Sequence, residues 1–304
     1  RMPFDSGGPV LMEAVIVQLS DSVRCIRFAC GSCPVADRMT ARDPLSLLIT
    51  AWAASAALMV LLWLVERRRR NASIADVGWC YGLALVVWWY AGSGAGEPAR
   101  RLLVALMIFL YAVRLGTHVL IDRVWRKQED GRYRALRHQW GAHESSRLFW
   151  YFQLQAAAIA FFSLPPLVVM QNPHPPFHFW DLIGFLWWTI AVTGEAMADW
   201  QLAAFRSKPW NTGRVCRIGL WRYSRHPNYF FEWLHWWSYV WMALAIPTGG
   251  WGLTLIGPMV MGVALLKVTG IPWTEAQSMT SRGEEYAEYQ RTTNAFFPWF
   301  PRRS

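Results

Sequence analysis

The chain has 304 residues, of which 54% are hydrophobic, 15% are aromatic and only 16% are charged. Soluble globular domains are about 25% charged, so this composition argues against an ordinary soluble protein. Thirty Lys and Arg against 20 Asp and Glu give a formal charge of +10. Nucleic-acid binding could explain that charge, but it would not explain 21 Trp and long uncharged runs. The composition therefore predicts a membrane protein with no nucleic-acid partner.

Long uncharged stretches predict where the chain crosses the bilayer, because a spanning helix needs about 20 mostly apolar residues. Residues 45–65 contain no charge, and neither 148–180 nor 233–266 contains Lys, Arg, Asp or Glu. The second run ends in a Pro-rich turn, and the third is divided at 247–250. We predict an all-α, polytopic integral membrane protein with seven transmembrane helices at about 45–65, 73–92, 101–121, 148–170, 181–205, 229–247 and 250–268.

The charges of the connecting loops predict the orientation. Lys and Arg are concentrated in four regions, namely 67–70, 123–147, 206–225 and 267–303. The alternate connections hold only Arg100 and Arg101. Positively charged loops stay in the cytoplasm. We therefore expect the N-terminus outside and the C-terminus in the cytoplasm, an arrangement that requires an odd number of spans.

The first 44 residues differ in kind from the rest. They begin with Arg and contain no run long enough to span a membrane. We expect residues 1–44 to be a poorly structured or non-native extension, with Met39 as an alternative start, and 45–304 to form the membrane domain. The cysteines show neither a disulfide nor a metal-binding pattern, so we expect unpaired thiols and no metal at Cys25, Cys30, Cys33, Cys80 and Cys216.

Ionisable residues inside a predicted span are costly and usually face a cavity. Tyr111, Arg114, His118 and Asp122 are spaced i, i+3, i+7 and i+11, so they line one face of one helix. This face is either a functional surface or a set of bonds to neighbouring helices. We favour the functional interpretation, because one structural bond would not need four polar groups.

Two acids, Glu195 and Asp199, are one turn apart near the end of the fifth predicted span. Like charges at this spacing repel, so a cation or a ligand with hydrogen-bond donors must compensate them. An internal salt-bridge network is the alternative. Basic residues follow directly, among them Arg206 and Arg214.

The densest polar stretch is residues 219–232, before the sixth predicted span. Pro227 can begin a helix, whose free N–H groups favour an anion. Arg225, His226, Asn228 and Glu232 would then gather at that helix start. Arginines suit phosphate groups, carboxylates suit ribose hydroxyls, and helices rich in Trp and Phe suit a lipophilic substrate. The chain has no Gly-x-Gly-x-x-Gly, so a Rossmann domain would not hold such a cofactor.

Five segments carry a resemblance to a known family, namely SIADVGW at 73–79, YAVRLGTHVLIDR at 111–123, EAMADWQLAAFR at 195–206, GLWRYSRHPNYFFEW at 219–233 and GEEYAEYQRTTNAFFP at 283–298. They resemble the steroid 5-alpha-reductase-like membrane proteins, especially the bacterial DUF1295 branch, similar to the C-terminal region of 3-oxo-5-alpha-steroid 4-dehydrogenases. The resemblance implies seven spans, a bacterial inner membrane and NADPH bound from the cytoplasmic side.

The resemblance also implies roles for individual residues. Asp76 and Tyr111 would be catalytic, because Tyr111, oriented by Asp76, would stabilise the carbonyl oxygen of an enone and supply a proton while hydride reaches its β carbon. Cofactor binding is implied for Arg114, His118, Asp122, Glu195, Asp199, Arg206, Arg214, Arg225, His226, Asn228 and Glu232.

Departures from the family pattern bear on the substrate. Ala75-Asp76 stands where animal steroid reductases have Gln-Glu, His118 replaces a tyrosine and Glu195 replaces an asparagine. NADPH use therefore transfers better than a steroid substrate. The substrate, the preference between NADPH and NADH and the oligomeric state stay open.

Two other functions compete with the reductase. The Arg-His-Pro-x-Tyr motif also resembles membrane methyltransferases similar to isoprenylcysteine carboxyl methyltransferase, which bind S-adenosylmethionine. That sulfonium prefers carboxylates and aromatic faces to arginines. A non-enzymatic lipid-binding or transport protein is the third alternative, because basic loops attract anionic headgroups.

Overall fold

The structure is a computed structural model that describes residues 42–246 and 250–302. Most of the predicted 1–44 extension, with Cys25, Cys30 and Cys33, lies outside these residues, as do 247–249 of the break predicted at 247–250. Within them the chain is all-α, as predicted. Its ten α-helices are α1 (Pro44–Arg69), α2 (Ile74–Ser93), α3 (Pro98–Val119), α4 (Gly131–Trp140), α5 (Glu144–Phe162), α6 (Leu164–Met170), α7 (Phe179–Arg206), α8 (Pro227–Ala243), α9 (Ile256–Val263) and α10 (Ile271–Thr292).

Local sequence explains where several helices begin. Asp43 precedes α1 and accepts a hydrogen bond from the backbone N–H of Ser46 at 2.9 Å. Glu97 precedes α3 and accepts from the N–H of Arg100 at 2.9 Å. Both helices, and also α8, have Pro as their first residue, where the missing N–H costs nothing.

Five helical stretches of the described chain are long and apolar enough to cross a membrane, namely Pro44–Arg69, Ile74–Ser93, Pro98–Val124, Gly131–Met170 and Gly250–Thr292. The fourth contains α4 to α6 and the fifth contains α9 and α10. The predicted segments 181–205 and 229–247 are the helices α7 and α8, which do not meet the same criterion. Helix α8 has only 17 residues, fewer than the roughly 20 that a perpendicular crossing needs.

Two helices were not expected from hydropathy, because both are polar. Helix α4 lies in the basic stretch before α5, and α10 follows α9 near the C-terminus. Gly283 interrupts α10 with a φ of 51°, in the left-handed region that favours glycine. The segment predicted at 148–170 is likewise divided at Ser163, after which Pro165 lies in the first turn of α6.

The core forms where α8 packs against α7 and where α2 packs against α3. Trp236 of α8 is fully buried, and its ring lies 4.8 Å from that of Phe162 and 6.3 Å from that of Tyr111, between centroids. Helix α1 packs mainly against α5 and α2, and only 17% of its most apolar window is buried. Most of the surface of α1 is therefore left for lipid.

The starts of α3 and α7 are joined by a buried ion pair. The Arg100 guanidinium donates to both carboxylate oxygens of Asp181, at 2.5 and 2.7 Å. Two further N–H groups reach the carbonyl oxygens of His174 and Pro175 at 3.1 and 3.0 Å. Neither charged side chain is more than 1% exposed. This pair fixes the loop between α6 and α7 to the helices.

Candidate functional site

A cavity of about 570 Å³ lies at the other end of α3 and α7, beside the start of α8 and the polar helix α10. Six arginines and three aspartates line it, so its walls carry an excess of positive charge. We call it the arginine cavity. Its charged lining residues are Arg123, Arg132, Arg206, Arg214, Arg225, Arg282, Asp122, Asp130 and Asp199.

Most of the residues predicted to bind a cofactor meet at this cavity, although they come from four parts of the chain. Those that line it are His118, Asp122, Asp199, Arg206, Arg214, Arg225, His226 and Asn228. The other predicted site residues are not part of its lining, namely Asp76, Tyr111, Arg114, Glu195 and Glu232. Of these five, Arg114 forms an ion pair with the lining residue Asp199, and Glu195 is joined to it through Arg114.

The cation that compensates Glu195 and Asp199 is Arg114, from the polar stripe of α3. Its Nη2 lies 2.5 Å from Glu195 Oε1, and its Nη1 lies 2.9 Å from Asp199 Oδ2. Asn228 donates to the other oxygen of Asp199 at 3.2 Å, and His118 Nε2 lies 3.9 Å from Oδ2. An internal salt-bridge network therefore compensates Glu195 and Asp199. Asp199 also lines the cavity, so this Arg114 cluster reaches the cavity wall.

The expected contact between Tyr111 and Asp76 is not formed. Tyr111 donates its single O–H to Glu232 Oε1 at 2.7 Å. The same oxygen accepts from the indole N–H of Trp236 at 3.1 Å. Tyr111 is fully buried, and its ring stacks on His235 with centroids 3.9 Å apart. Glu232 thus holds the position beside Tyr111 that the resemblance implied for Asp76.

Asp76 belongs to a different cluster, built with the start of α4. It accepts from the Tyr133 hydroxyl at 2.7 Å and from Arg132 at 3.0 Å, and Arg123 lies 3.6 Å away. Arg132 and Arg123 also flank Asp130. Burial would raise the pKa of Asp130, but these two arginines lower it below its usual value. Asp76 was expected to contact Tyr111 because hydropathy did not reveal α4. Helix α4 supplies the actual partners of Asp76, Arg132 and Tyr133.

Arg225 and His226 are held by Glu275 of α10, a residue that the sequence reasoning missed. Arg225 donates from Nε to Glu275 Oε1 at 2.7 Å, and its Nη1 reaches the carbonyl oxygen of Gln290 at 3.0 Å. His226 Nε2 lies 3.2 Å from Glu275 Oε1. Burial lowers the pKa of His226, while Glu275 opposes the shift. These contacts tie the start of α8 to α10, so both residues position a wall of the cavity.

Three arginines of the cavity have no carboxylate within ion-pair distance among the described residues, namely Arg206, Arg214 and Arg282. Arg282 donates to the backbone carbonyl of Arg214 at 3.1 Å, which brings the two cations together. Arg282 and Arg123 repel Arg206 electrostatically, and Asp122 attracts it. Arg282, which comes from α10, was also missed, because no span or motif marks it.

One thiol, that of Cys216, is part of the cavity lining. Cys80 and Cys216 are buried and unpaired. Within residues 42–246 and 250–302 no group of three or more His, Cys, Asp and Glu side chains is arranged to hold a metal ion.

The fold and the cavity define a helical membrane protein with a polar, arginine-lined site at one end of its helices. A family model described as a protein of unknown function, DUF1295, matches residues 62–293. Since the match covers most of the chain, the protein belongs to the DUF1295 family. Neither a curated protein nor a solved structure matches it.

Proposed function

We propose that the protein is a membrane-embedded, NADPH-dependent reductase that transfers hydride to the C=C bond of a lipophilic enone. The observation that supports this proposal most is the group Arg206, Arg214 and Arg282, which face the arginine cavity without acidic partners. Clustered cations of this kind are costly unless a ligand supplies negative charge. Phosphate groups do so through charge-assisted, bidentate hydrogen bonds.

NADPH fits the donors and acceptors that the cavity offers. A volume of about 570 Å³ is in the usual range of small-molecule sites. The three unpaired arginines would bind phosphates, and Asp122 and Asp199 could accept hydrogen bonds from ribose hydroxyls. When bound, NADPH supplies the hydride. Arg225 and His226, already held by Glu275, would position the wall rather than bind phosphate.

The chain's own residues would stabilise the developing charge and move a proton. Tyr111 is a buried hydroxyl bonded to Glu232, and it lies beside Trp236 in the core. Its O–H would donate to the substrate's carbonyl oxygen, and the surrounding helices would exclude water. Asp76, bonded to Tyr133 and Arg132, would support α4 instead.

We also propose that α7 and α8 cross the membrane with the five apolar stretches, which gives seven spans. The basic loops then lie in the cytoplasm, and the arginine cavity opens there, where NADPH is present. A bacterial inner membrane is the compartment that fits this arrangement. The short α8 would cross with help from the residues that precede and follow it.

An S-adenosylmethionine-dependent methyltransferase is the second candidate. The rings of Trp221, Tyr229, Trp273, Tyr286 and Tyr289 line the same cavity with the three aspartates, and aromatic faces and carboxylates suit a sulfonium. Three unpaired arginines would instead repel that cation. A lipid-binding or transport protein is the third alternative.

Thermal unfolding of detergent-purified protein tests the proposal, with NADPH, NADH, S-adenosylmethionine and an anionic phospholipid compared. A ligand at 100 times its dissociation constant stabilises the folded state by about 2.7 kcal/mol. We expect NADPH to raise the midpoint most. Stabilisation by S-adenosylmethionine alone would overturn the reductase in favour of the methyltransferase. Stabilisation by anionic lipid alone would support the lipid-binding protein.

A further inference from the structure

The Glu232 carboxyl group is buried in the core with its two oxygens in different surroundings. Oε1 accepts hydrogen bonds from Tyr111 and Trp236, at 2.7 and 3.1 Å. Oε2 is also buried but has no hydrogen-bond partner. An ionised carboxylate would leave a charged oxygen unsatisfied in the core, which costs several kcal/mol.

Within residues 42–246 and 250–302, no Lys, Arg or His forms an ion pair with Glu232. Arg114 acts on it electrostatically, but its two Nη atoms are engaged by Glu195 and Asp199. One arginine thus serves a cluster of three buried acids. Glu195 Oε2 is likewise buried without a hydrogen-bond partner, but Glu195 and Asp199 each form an ion pair with Arg114. Glu232 forms none among the described residues, so the proton is assigned to Glu232.

The other groups around Glu232 do not supply a positive charge. His235 of α8 stacks on Tyr111, and its Nε2 is hydrogen-bonded to Tyr239 at 2.9 Å in a fully buried pocket. From α2, Cys80 is a buried, unpaired thiol and brings no positive charge. Asp76 acts on that thiol and is bonded to its own partners.

We propose that Glu232 is a positioning residue for Tyr111 that stores a proton on Oε2 and returns it to the tyrosine after each turnover. The proposal rests on the proposed reductase, in which each C=C bond reduced by a hydride also consumes one proton. Tyr111 breaks its O–H bond and gives the proton to the substrate. Glu232 then restores it, since a half-turn of the carboxyl group exchanges the two oxygens and brings the Oε2 proton to the phenolate.

The proton that Glu232 loses comes back from the aqueous side. Glu195 interacts electrostatically with Glu232, and Arg114 links Glu195 to Asp199. Asp199 and Asn228 line the arginine cavity. Ion pairs therefore lead from Asp199 at the cavity wall through Arg114 to Glu195, and the proton would pass from this cluster to Glu232.

Infrared difference spectroscopy of the purified protein tests whether Glu232 holds a proton, without substrate or cofactor. The spectrum of wild type minus Glu232→Gln should show the C=O stretching band of a carboxylic acid, which moves to lower frequency in D₂O. The matched control is Glu66→Gln, since Glu66 is as buried as Glu232 but is paired with Arg137. This control should lose carboxylate bands and keep the acid band.

Tyr111→Phe gives a second measurement that does not require the Glu232 variant to fold. Removal of the phenol takes one hydrogen-bond donor from Oε1, so the acid band should stay and move to higher frequency. An unmoved band in Tyr111→Phe would overturn the proposal. So would loss of carboxylate bands in Glu232→Gln, or loss of the acid band in Glu195→Gln alone, which would place the proton on Glu195.

These results are independent of the cofactor. An acid band from Glu232 without stabilisation by NADPH would contradict the proposed reductase but support a protonated Glu232. Stabilisation by NADPH without the acid band would support the reductase but contradict the proposal that Glu232 stores a proton.

Discussion

The two ends of α3 and α7 hold arginines in opposite circumstances. At the start of both helices, Arg100 uses its donors on Asp181 and on two carbonyl oxygens, and it is entirely buried. At the other end, Arg206, Arg214 and Arg282 line a cavity and have no carboxylate partner in the described part of the chain. The same residue type therefore serves the fold at one end and stays available to a ligand at the other.

The difference shows how the two uses of arginine can be told apart. A buried guanidinium is tolerated only when its charge and its donors are matched, so Arg100 has no capacity left for a ligand. An arginine beside water has no such requirement, and grouping several of them lowers stability unless an anion binds. Arg114 and Arg225 lie between these extremes, since each is paired with an acid at the edge of the cavity.

The largest expected effect is on stability, at the start of α3 and α7, where Arg100 is paired with Asp181. Asp181→Asn keeps the shape of the side chain but leaves Arg100 buried without a counter-charge. We expect a loss of about 3–5 kcal/mol of stability, measured by thermal or denaturant unfolding in detergent. The matched control is Asp122→Asn at the cavity, where the exposed Asp122 forms no ion pair, and we expect a change within about 0.5 kcal/mol. Equal effects at the two sites would remove the distinction.

An intermediate effect is expected at the cavity, on binding rather than on stability. Arg214→Ala removes a charge-assisted bond to phosphate, worth about 1.5–3 kcal/mol, so the affinity for NADPH should fall about tenfold to a hundredfold. Unfolding without ligand should be unchanged. Arg222→Ala is the matched control, because Arg222 is exposed and lies outside the cavity. Unchanged NADPH affinity in Arg214→Ala would take this residue out of the site.

The smallest expected effect involves one proton at the cavity wall. Burial lowers the pKa of His226, so the folded protein favours the neutral ring. As the pH falls from about 7.5, the unfolded chain takes up a proton near its ordinary pKa of about 6.5, before the folded one does. Stability should therefore fall until the lowered pKa is passed, and stay level below it.

His226→Gln isolates this contribution from that of the other histidines. The midpoint of thermal unfolding should depend less on pH in the variant than in the wild type over that interval. The same pH dependence in both proteins would show that the ring does not titrate as its surroundings require.

Hydropathy and local signals predicted much of this fold. The uncharged runs gave the positions of most helices, because the bilayer demands long apolar segments, and Pro227 marked the start of α8. Helices α4 and α10 escaped the prediction, because their apolar residues are few and their partners lie elsewhere in the chain. The short α8 ends at Ala243, before the predicted boundary at 247.

The candidate site was also predictable only in part from the sequence. Spacing on one helix predicted that Glu195 and Asp199 share a face and need a cation, since that geometry is local. It left open which cation, and Arg114 was identified only as one more member of a stripe. Contacts between distant segments were not predictable, and for this reason Glu275 was missed and Tyr111 was assigned to Asp76 rather than to Glu232.

The exposed surface of α1 has a consequence for how the chain is assembled. Its main helical partner, α5, begins roughly 75 residues after α1 ends. At about 5–20 residues per second of synthesis, α1 waits several seconds for α5, with lipid and the early-made α2 as its neighbours. Glu66, buried near the end of α1, meets Arg137 only after α4 has been made. Until α5 is made, lipid covers the face of α1 that α5 later buries. The Glu66–Arg137 contact can form only when the chain has reached α4, shortly before protein replaces lipid on that face.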